Sequence, residues 1–203
     1  RQIAKEISSV KDTIKILLMM GELYRKKGEN RKAFECYNEA LKYARELNDK
    51  ATIAKVKEMI GALYTRKNDF DRALLFLNDS LSLSKEIGYV EGYLEAVRRI
   101  CWVYIFKGKN KEAIDMINNV LSEYSDEKYS LYHASLYNVL GTHYLEQSNI
   151  DEALRCYNKS IELYEKNNEK VEIAYPLNNI ATVFAEFLND NAKAREYFEK
   201  SLQ

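Results

Sequence analysis

Apolar residues recur along the chain at intervals of three and four, which is the period of a helix and not of a strand. Residues Ala33, Tyr37, Ala40 and Ala44 show this spacing. Short polar turns interrupt the pattern: KGEN (27–30), KNDF (67–70), KGKN (107–110), QSNI (147–150) and LNDN (188–191). Gly, Asn and Asp in such turns tolerate the left-handed conformation that ends a helix, or they cap the next helix. The pattern predicts a series of amphipathic helices joined by tight turns.

The predicted helices repeat with a period of 40 residues. A small residue marks the centre of the first helix of each repeat, at Gly21, Gly61, Cys101, Gly141 and Ala181. An aromatic residue follows three positions later, at Tyr24, Tyr64, Tyr104, Tyr144 and Phe184. In the second helix an alanine comes twelve positions after the small residue, at Ala33, Ala73, Ala113 and Ala153, and at Ala194 after a one-residue insertion. Four positions beyond each alanine lie Tyr37, Leu77, Ile117, Tyr157 and Phe198. We expect the small residues to let helix backbones approach closely and the neighbouring aromatic residues to fill the space beside them.

The pattern small–x–x–aromatic, then Ala–x–x–x–aromatic–x–x–Ala, resembles the tetratricopeptide repeat and covers essentially the whole chain. The common form repeats every 34 residues or so, about six fewer than here. The longer repeat is similar to those of kinesin light chain, MalT-like regulators and the peptide-pheromone receptors of Gram-positive bacteria. The resemblance implies an all-α fold, a right-handed α-solenoid of stacked antiparallel helix pairs. Cys101 and Ala181 depart from the family's usual Gly, and Leu77 and Ile117 from its usual aromatic residue.

The spacing predicts one array over residues 1–203, with helix pairs at about 10–48, 51–88, 90–125, 129–167 and 170–203. Residues 1–8 align with residues 41–48 and 81–88, so we expect them to be the tail of an upstream repeat. Neither end of the sequence carries the polar cap that end repeats need, which predicts a fragment of a larger protein. Truncation by natural processing is the alternative. Pro176 predicts a late start near residue 175, or a kink, because a proline inside a helix costs about 3 kcal/mol.

In stacked helix pairs the first helices line the concave face. Positions three before and one after the small residue are expected to point into its groove, and in the C-terminal half they hold Arg98, Trp102, Asn138, Thr142, Asn178 and Thr182. Side-chain amides can donate to and accept from an extended peptide backbone, each bond contributing about 0.5–1.5 kcal/mol net. The resemblance implies the same use, since Asn at this position contacts peptide in kinesin light chain and the pheromone receptors. The alternatives are that these polar residues are merely solvated, and that Trp102 packs against a neighbouring helix instead of anchoring a ligand.

Composition and motifs exclude several functions. The 31 Lys and Arg residues balance 31 Asp and Glu residues, so the chain lacks the positive charge that nucleic acid or an anionic membrane surface calls for. Cys36, Cys101 and Cys156 fall within helical patterns, which favours reduced thiols in the cytoplasm over a disulfide framework. His133 and His143 do not share a helix face cleanly, and the usual metal, phosphate and nucleophile motifs are absent from the sequence. We therefore predict no catalytic residues, no metal and no cofactor.

The sequence thus predicts a cytoplasmic binding module and not an enzyme. The leading hypothesis is a scaffold that recognises a protein or peptide, as the recognition part of a regulatory or signalling protein, with an extended peptide in the concave groove. The alternative is self-association into a homo-oligomer, because uncapped ends and a surface rich in tyrosine (16 Tyr) would allow one array to stack on another.

Overall fold

The structure, a computed structural model, describes the backbone of residues 2–202 and the side chains of residues 7–202. Contacts between residues divide the chain into two compact units, residues 1–103 and residues 104–203, which we describe separately. Among the described residues no helix combines the length and the apolar character that crossing a bilayer requires.

The first unit holds α1 (Gln2–Lys26), α2 (Asn30–Glu46), α3 (Lys50–Arg66), α4 (Phe70–Glu86) and most of α5 (Val90–Phe106). Helix α1 packs against α2 and α3 against α4, while α2 also contacts α3. Because three-residue turns join these helices, neighbours run antiparallel.

Helix α1 differs from the sequence prediction. It is a single helix of 25 residues, so it runs through both the segment predicted as an upstream tail and the helix predicted to begin near residue 10. Ser8 stands where Asn48 and Gly88 adopt a positive φ, and both of those residue types enter the left-handed region more readily than Ser. The side chains of residues 1–6 lie outside the described residues.

The second unit holds the end of α5, α6 (Asn110–Glu123), α7 (Ser130–Glu146), α8 (Ile150–Lys166), α9 (Ala174–Thr182) and α10 (Asn191–Ser201). Helix α7 packs against α8 and α9 against α10, and α8 contacts α9. A short 3-10 helix, Glu127–Tyr129, joins α6 to α7, and the ring of His133 hydrogen-bonds through Nε2 to the carbonyl of Tyr124 at 2.8 Å.

Most helices end at a residue in the left-handed conformation. These residues are Gly28, Asn48, Asn68, Gly88, Gly108, Ser148, Asn168 and Asn189. At the end of α3 the amides of Asn68 and Asp69 donate to the carbonyls of Thr65 and Tyr64, both at 3.0 Å, which closes the helix in a Schellman motif. Asp69 then caps α4, since its side chain accepts a hydrogen bond from the backbone amide of Arg72. Two adjacent residues thus end one helix and begin the next.

The small residues of the first helices make room for the second helices. A Cβ atom added to Gly141 would lie 2.5 Å from Cε1 of Tyr157, and one added to Gly61 would lie 2.7 Å from Cγ of Leu77. The residue that fills the space is therefore on the second helix, sixteen positions later, and not the aromatic one turn away. Tyr64, one of those aromatics, instead contacts the rings of Phe34 and Phe76, with centroids 5.7 and 5.5 Å away.

The fifth helix pair has two irregularities, Pro176 and a one-residue insertion, and each lies at one end of its first helix. Helix α9 begins at Ala174, so Pro176 is its third residue and no internal helix hydrogen bond is lost. At the other end a π-helical segment, Val183–Phe187, takes up the one-residue insertion. The amide of Asp190 bonds to the carbonyl of Phe184, six residues back, where Asn149 reaches Tyr144 only five back.

Candidate binding surface on the first helices

Asn138, on α7, was predicted to point into the groove with a free amide. Its side chain is buried, with 6% of its surface exposed. Its Oδ1 accepts a hydrogen bond from Nδ2 of Asn179 on α9 at 2.8 Å. This bond joins the first helices of two successive pairs. It orients the carboxamide and leaves Nδ2 of Asn138 without an acceptor among the described residues.

Asn178 has different surroundings, although it lies one full repeat after Asn138. It is exposed on α9, and its Oδ1 is 2.8 Å from the hydroxyl of Ser201 on α10, which donates to it. Asn138 and Asn178 therefore do not form the predicted ladder of equivalent amides. The residue that meets Asn138 is Asn179, which comes one position later in the chain than the repeat spacing suggests.

The two predicted threonines bond mainly to their own helices. The hydroxyl of Thr142 donates to the carbonyl of Asn138 at 3.2 Å, and that of Thr182 donates to the carbonyl of Asn178 at 3.0 Å. Such bonds to the residue four positions earlier are common for threonine within helices. Both side chains remain partly exposed, so each presents its methyl group and hydroxyl oxygen beside an asparagine.

Arg98 and Trp102 lie on α5 in the first unit. Nε of Arg98 donates to Oε2 of Glu95 at 3.0 Å, which places its guanidinium in an ion pair on its own helix. Trp102 is half-buried. It is therefore neither fully exposed to a ligand nor fully packed against a neighbouring helix, the two alternatives that the sequence left open.

A charged network in the first unit has no counterpart among the residues predicted from the sequence. Glu58 on α3 is 6% exposed and forms an ion pair with Arg99 on α5. Arg99 also reaches Glu95, with Nη2 3.1 Å from Oε1. A buried carboxylate needs such a partner, because leaving it unpaired is strongly destabilising. Glu58 is therefore a structural contact between two first helices and not an exposed groove residue.

A second missed contact lies between α1 and α2. The carboxylate of Glu22 accepts hydrogen bonds from Arg25 and from the hydroxyl of Tyr37. Burial raises the pKa of Glu22, but hydrogen bonds from Arg25 and Tyr37 and the charges of Arg25 and Arg99 outweigh it, so the pKa lies below its usual value.

The repeat pattern contains a signal for this contact. Glu22 and Tyr37 correspond to Thr142 and Tyr157, whose hydroxyl oxygens lie 3.4 Å apart. In the second repeat the corresponding residues are both apolar, Ala62 and Leu77. A polar side chain thus accompanies tyrosine, because the buried phenol needs an acceptor.

Two residue types that often carry chemistry are buried in the packing. Burial raises the pKa of Cys101 to about 12 and that of Cys156 to about 11, so both thiols stay protonated and unreactive near neutral pH. His143 is 2% exposed, its Nδ1 has no hydrogen-bond partner among the described residues, and burial lowers its pKa. The described part of the chain contains no cluster of His, Cys, Asp and Glu that could hold a metal ion.

The repeated helix pairs described above are those of a known family. The sequence matches the tetratricopeptide repeat family over residues 12–86, 94–166 and 132–203. The chain belongs to this family. The asparagines and threonines above therefore lie on the first helices of tetratricopeptide pairs, and the observed fold is the all-α solenoid class of that family. We found no match to the sequence among curated proteins.

Solved structures of other tetratricopeptide proteins share this fold. BtubC (BKLC) from P. vanneervenii is 20% identical over 100% of this chain and 90% of its own, with a TM-score of 0.67. The apo form of the quorum sensor NprR from B. thuringiensis is 19% identical, with a TM-score of 0.69, over 99% of this chain but 58% of NprR. Tetratricopeptide-like repeats of a Podosopora anserina kinesin light chain are 12% identical over 97% of this chain and 94% of theirs, with a TM-score of 0.60.

Proposed function

We propose that this chain is a binding module that recognises an extended peptide segment of a protein partner. The main contact is the surface that α7 and α9 form with Asn138, Thr142, Asn178 and Thr182, called here the amide surface. The observation that carries the proposal is the hydrogen bond between Asn138 and Asn179. It holds one carboxamide in a fixed orientation and leaves its N–H groups for the carbonyl of a ligand backbone.

The amide surface offers a mixture of groups that suits a peptide. Asn178 is exposed and carries a second carboxamide, and the partly exposed threonines add methyl groups beside both asparagines. An extended peptide offers one N–H and one C=O per residue, so the carboxamides of Asn138 and Asn178 can each bond to a different residue of it. Each bond contributes only about 0.5–1.5 kcal/mol net, so side-chain contacts must supply the remaining affinity.

Arg98 and Trp102 extend the proposal to the first unit as a separate contact on α5. A half-buried tryptophan can anchor a ligand side chain, because large aromatic residues contribute most where a partner covers them. Arg98 already pairs with Glu95, so we propose that it contacts the ligand through this pair and not as an isolated charge.

The comparisons support a regulatory setting for this binding. One of the similar structures is a quorum sensor, and this chain spans about half of its length. We propose that the array is the recognition part of a larger regulatory protein. A cytoplasmic location fits the buried free thiols of Cys36 and Cys156, since reducing compartments keep such cysteines unpaired.

A peptide-display selection against the whole chain tests the proposal. Peptides recovered from it are labelled, and their Kd values are measured by fluorescence anisotropy for the wild type and for Asn138→Ala and Asn178→Ala. We expect each variant to weaken binding by roughly three- to tenfold, the loss of about one hydrogen bond. Trp102→Ala, measured with the same peptides, tests the separate contact on α5.

The matched control is Asn158→Ala. Asn158 is an exposed asparagine on the second helix α8, and its Nδ2 bonds only to the carbonyl of Leu154 within its own helix. Circular dichroism confirms that each variant is folded. Recovered peptides whose affinity is the same for the wild type and both amide variants would contradict the proposed site, as would a selection that returns no binding peptide.

A further inference from the structure

A cleft opens in the first unit where the beginnings of α2 and α4 meet the end of α3. It encloses about 430 Å³, a volume within the range of ligand-binding pockets. It lies between the first and second helix pairs and is bounded by both of them. Its lining residues come from the three helices and the turn after α3: Arg31, Phe34, Glu35, Tyr64, Lys67 and Arg72. We call it the cationic cleft.

Aromatic rings form the apolar wall of the cleft. Phe34 and Tyr64 are both half-buried, and their rings meet edge to face with centroids 5.7 Å apart. Phe76 stacks on Tyr64 with an interplanar angle of 18°. The three rings hold one another in place, so the exposed parts of Phe34 and Tyr64 provide a firm apolar surface.

Two cations stand beside this wall at the turn between α3 and α4. The guanidinium of Arg72 lies over the ring of Tyr64, with Cζ 4.9 Å from the centroid. Nε of Arg72 also donates to Oδ2 of Asp69 at 2.5 Å, so two contacts fix its position. Lys67 is exposed and is in no ion pair among the described residues. Its ammonium group is therefore available to an anion.

Arg31 supplies the third cation from the beginning of α2. Its Nε lies 3.1 Å from Oε1 of Glu35, and 93% of its side chain is exposed. Exposed ion pairs contribute little to stability, so a ligand carboxylate can replace Glu35 beside Arg31 at small cost. Even with Glu35 and Asp69 counted, the three cations leave the cleft positively charged.

The positive charge is particular to this junction between helix pairs. The aromatic position of Tyr64 recurs in every repeat, as expected for a packing residue. The three cations do not recur: one repeat later the corresponding residues are Asp71, Lys107 and Glu112, and two repeats later they are Lys111, Gln147 and Glu152. The helix pairs therefore pack without the three cations, which favours a role for them in binding.

We propose that the cationic cleft binds an acidic peptide segment of a protein partner, in which a glutamate or aspartate stands beside an aromatic residue. The carboxylate pairs with Lys67 and Arg31, and the aromatic side chain lies against Phe34 and Tyr64. The open rim at Arg31 suits a chain segment that crosses the cleft. Nucleic acid is disfavoured, because the whole chain has no net charge and three cations cannot follow a phosphate backbone. The amide surface belongs to the second unit, and this proposal does not depend on it.

A peptide library tests the proposal on the whole chain. Heptapeptides with a central phenylalanine and random flanking positions are selected against the wild type, and the Kd values of recovered, labelled peptides are measured by fluorescence anisotropy. We expect enrichment of Glu and Asp beside the phenylalanine. Lys67→Glu replaces an attraction by a repulsion and should weaken binding by about tenfold. Raising NaCl from about 50 mM to about 500 mM should also weaken it, because salt screens the charges.

The matched control is Lys107→Glu. Lys107 is exposed at the same repeat position one repeat later, and its substitution changes the net charge equally, so Kd should stay within about twofold of the wild type. Phe34→Leu tests the apolar wall and should weaken binding by about three- to tenfold. Leucine stands at the corresponding positions 74 and 154, so this variant keeps the helix packing. Circular dichroism checks that each variant is folded.

Several results would overturn the proposal. They are a selection that recovers no peptide or none enriched in acidic residues, an equal loss of affinity with Lys107→Glu, and unchanged binding by Phe34→Leu. Peptides that lose affinity in Asn138→Ala but not in Lys67→Glu would lie on the amide surface instead. A labelled oligothymidylate that binds more tightly than the peptides, and loses affinity in Lys67→Glu, would show that the occupant is nucleic acid.

Discussion

Asn179 on α9 donates a hydrogen bond from Nδ2 to Oδ1 of Asn138 on α7 over 2.8 Å. The two residues are 41 positions apart, one more than the repeat period, so the bond does not follow the register of the repeat. It connects one helix pair to the next through polar side chains.

The contribution of this bond can be measured with a double-mutant cycle. We expect Asn138→Ala and Asn179→Ala each to lower the free energy of unfolding, and their coupling energy to be about 0.5–1.5 kcal/mol. Urea unfolding of the wild type, both single variants and the double variant gives this value. Asn158→Ala should change stability by less than about 0.5 kcal/mol. Strictly additive effects of the two substitutions would show that the side chains do not interact in solution.

Gly141 tests the close approach of α7 and α8. We expect Gly141→Ala to lower the free energy of unfolding by about 1–3 kcal/mol, because the added Cβ would lie 2.5 Å from the ring of Tyr157. In a Tyr157→Val background the ring is gone, so the same change should become neutral or stabilising, since alanine favours a helix by about 1 kcal/mol over glycine. An equal cost of Gly141→Ala in both backgrounds would argue against the steric explanation.

His143 should make stability depend on pH. Burial lowers its pKa in the folded chain below the ordinary value of 6.5, so the unfolded chain binds the proton more readily. The free energy of unfolding is therefore highest above about pH 6.5 and decreases as the pH falls towards the pKa of His143 in the folded chain. Valine occupies the corresponding positions 103 and 183. The wild type should lose stability as the pH falls from about 7.5 to about 5, and His143→Val should not. The difference in the free energy of unfolding should therefore shift in favour of His143→Val over this range.

Urea unfolding of both chains at the two pH values measures this gain. A difference between wild type and His143→Val that stays constant with pH would mean that the buried imidazole is not the group that titrates.

Gly108 isolates the effect of the left-handed conformation. Its φ is +69°, and a Cβ added to it would meet no atom within 4 Å, so only the backbone conformation opposes a side chain. Asn68 adopts the same conformation at the corresponding turn one repeat earlier. Gly108→Asn should therefore cost less than about 1 kcal/mol, and Gly108→Val clearly more. Thermal unfolding of the two variants makes the comparison, and equal melting temperatures would refute it.

The fold could be predicted because its requirements are local and leave a mark on residue type. A left-handed turn favours Gly or Asn, and the turns at Gly28, Asn68 and Gly108 carry them, although Ser148 occupies the next one. Close approach of two helices needs a small residue, and Gly61 and Gly141 supply it. These signals repeat at one spacing, so the helix pairs and their family were visible before the structure.

The candidate site was harder to predict, because the direction of a polar side chain depends on which neighbour approaches it. Asn138 and Asn178 occupy the same repeat position, yet one is buried against Asn179 and the other is exposed beside Ser201. Glu58 occupies the same repeat position as Arg98 and Asn138, three residues before the small residue, but it forms an ion pair with Arg99 on the next first helix. Spacing assigns a residue to a helix face, whereas its partners come from packing between pairs.

The π-helical segment Val183–Phe187 has a consequence for how this array tolerates changes of length. One extra residue in an α-helix turns everything after it by about 100° around the axis. Here the wide turn holds the additional residue, and Ala194 of the following helix is still 4% exposed, like its counterparts in the other pairs. The insertion is confined to a single turn, so the chain gains a residue at this point while Ala194 keeps the buried position of its counterparts.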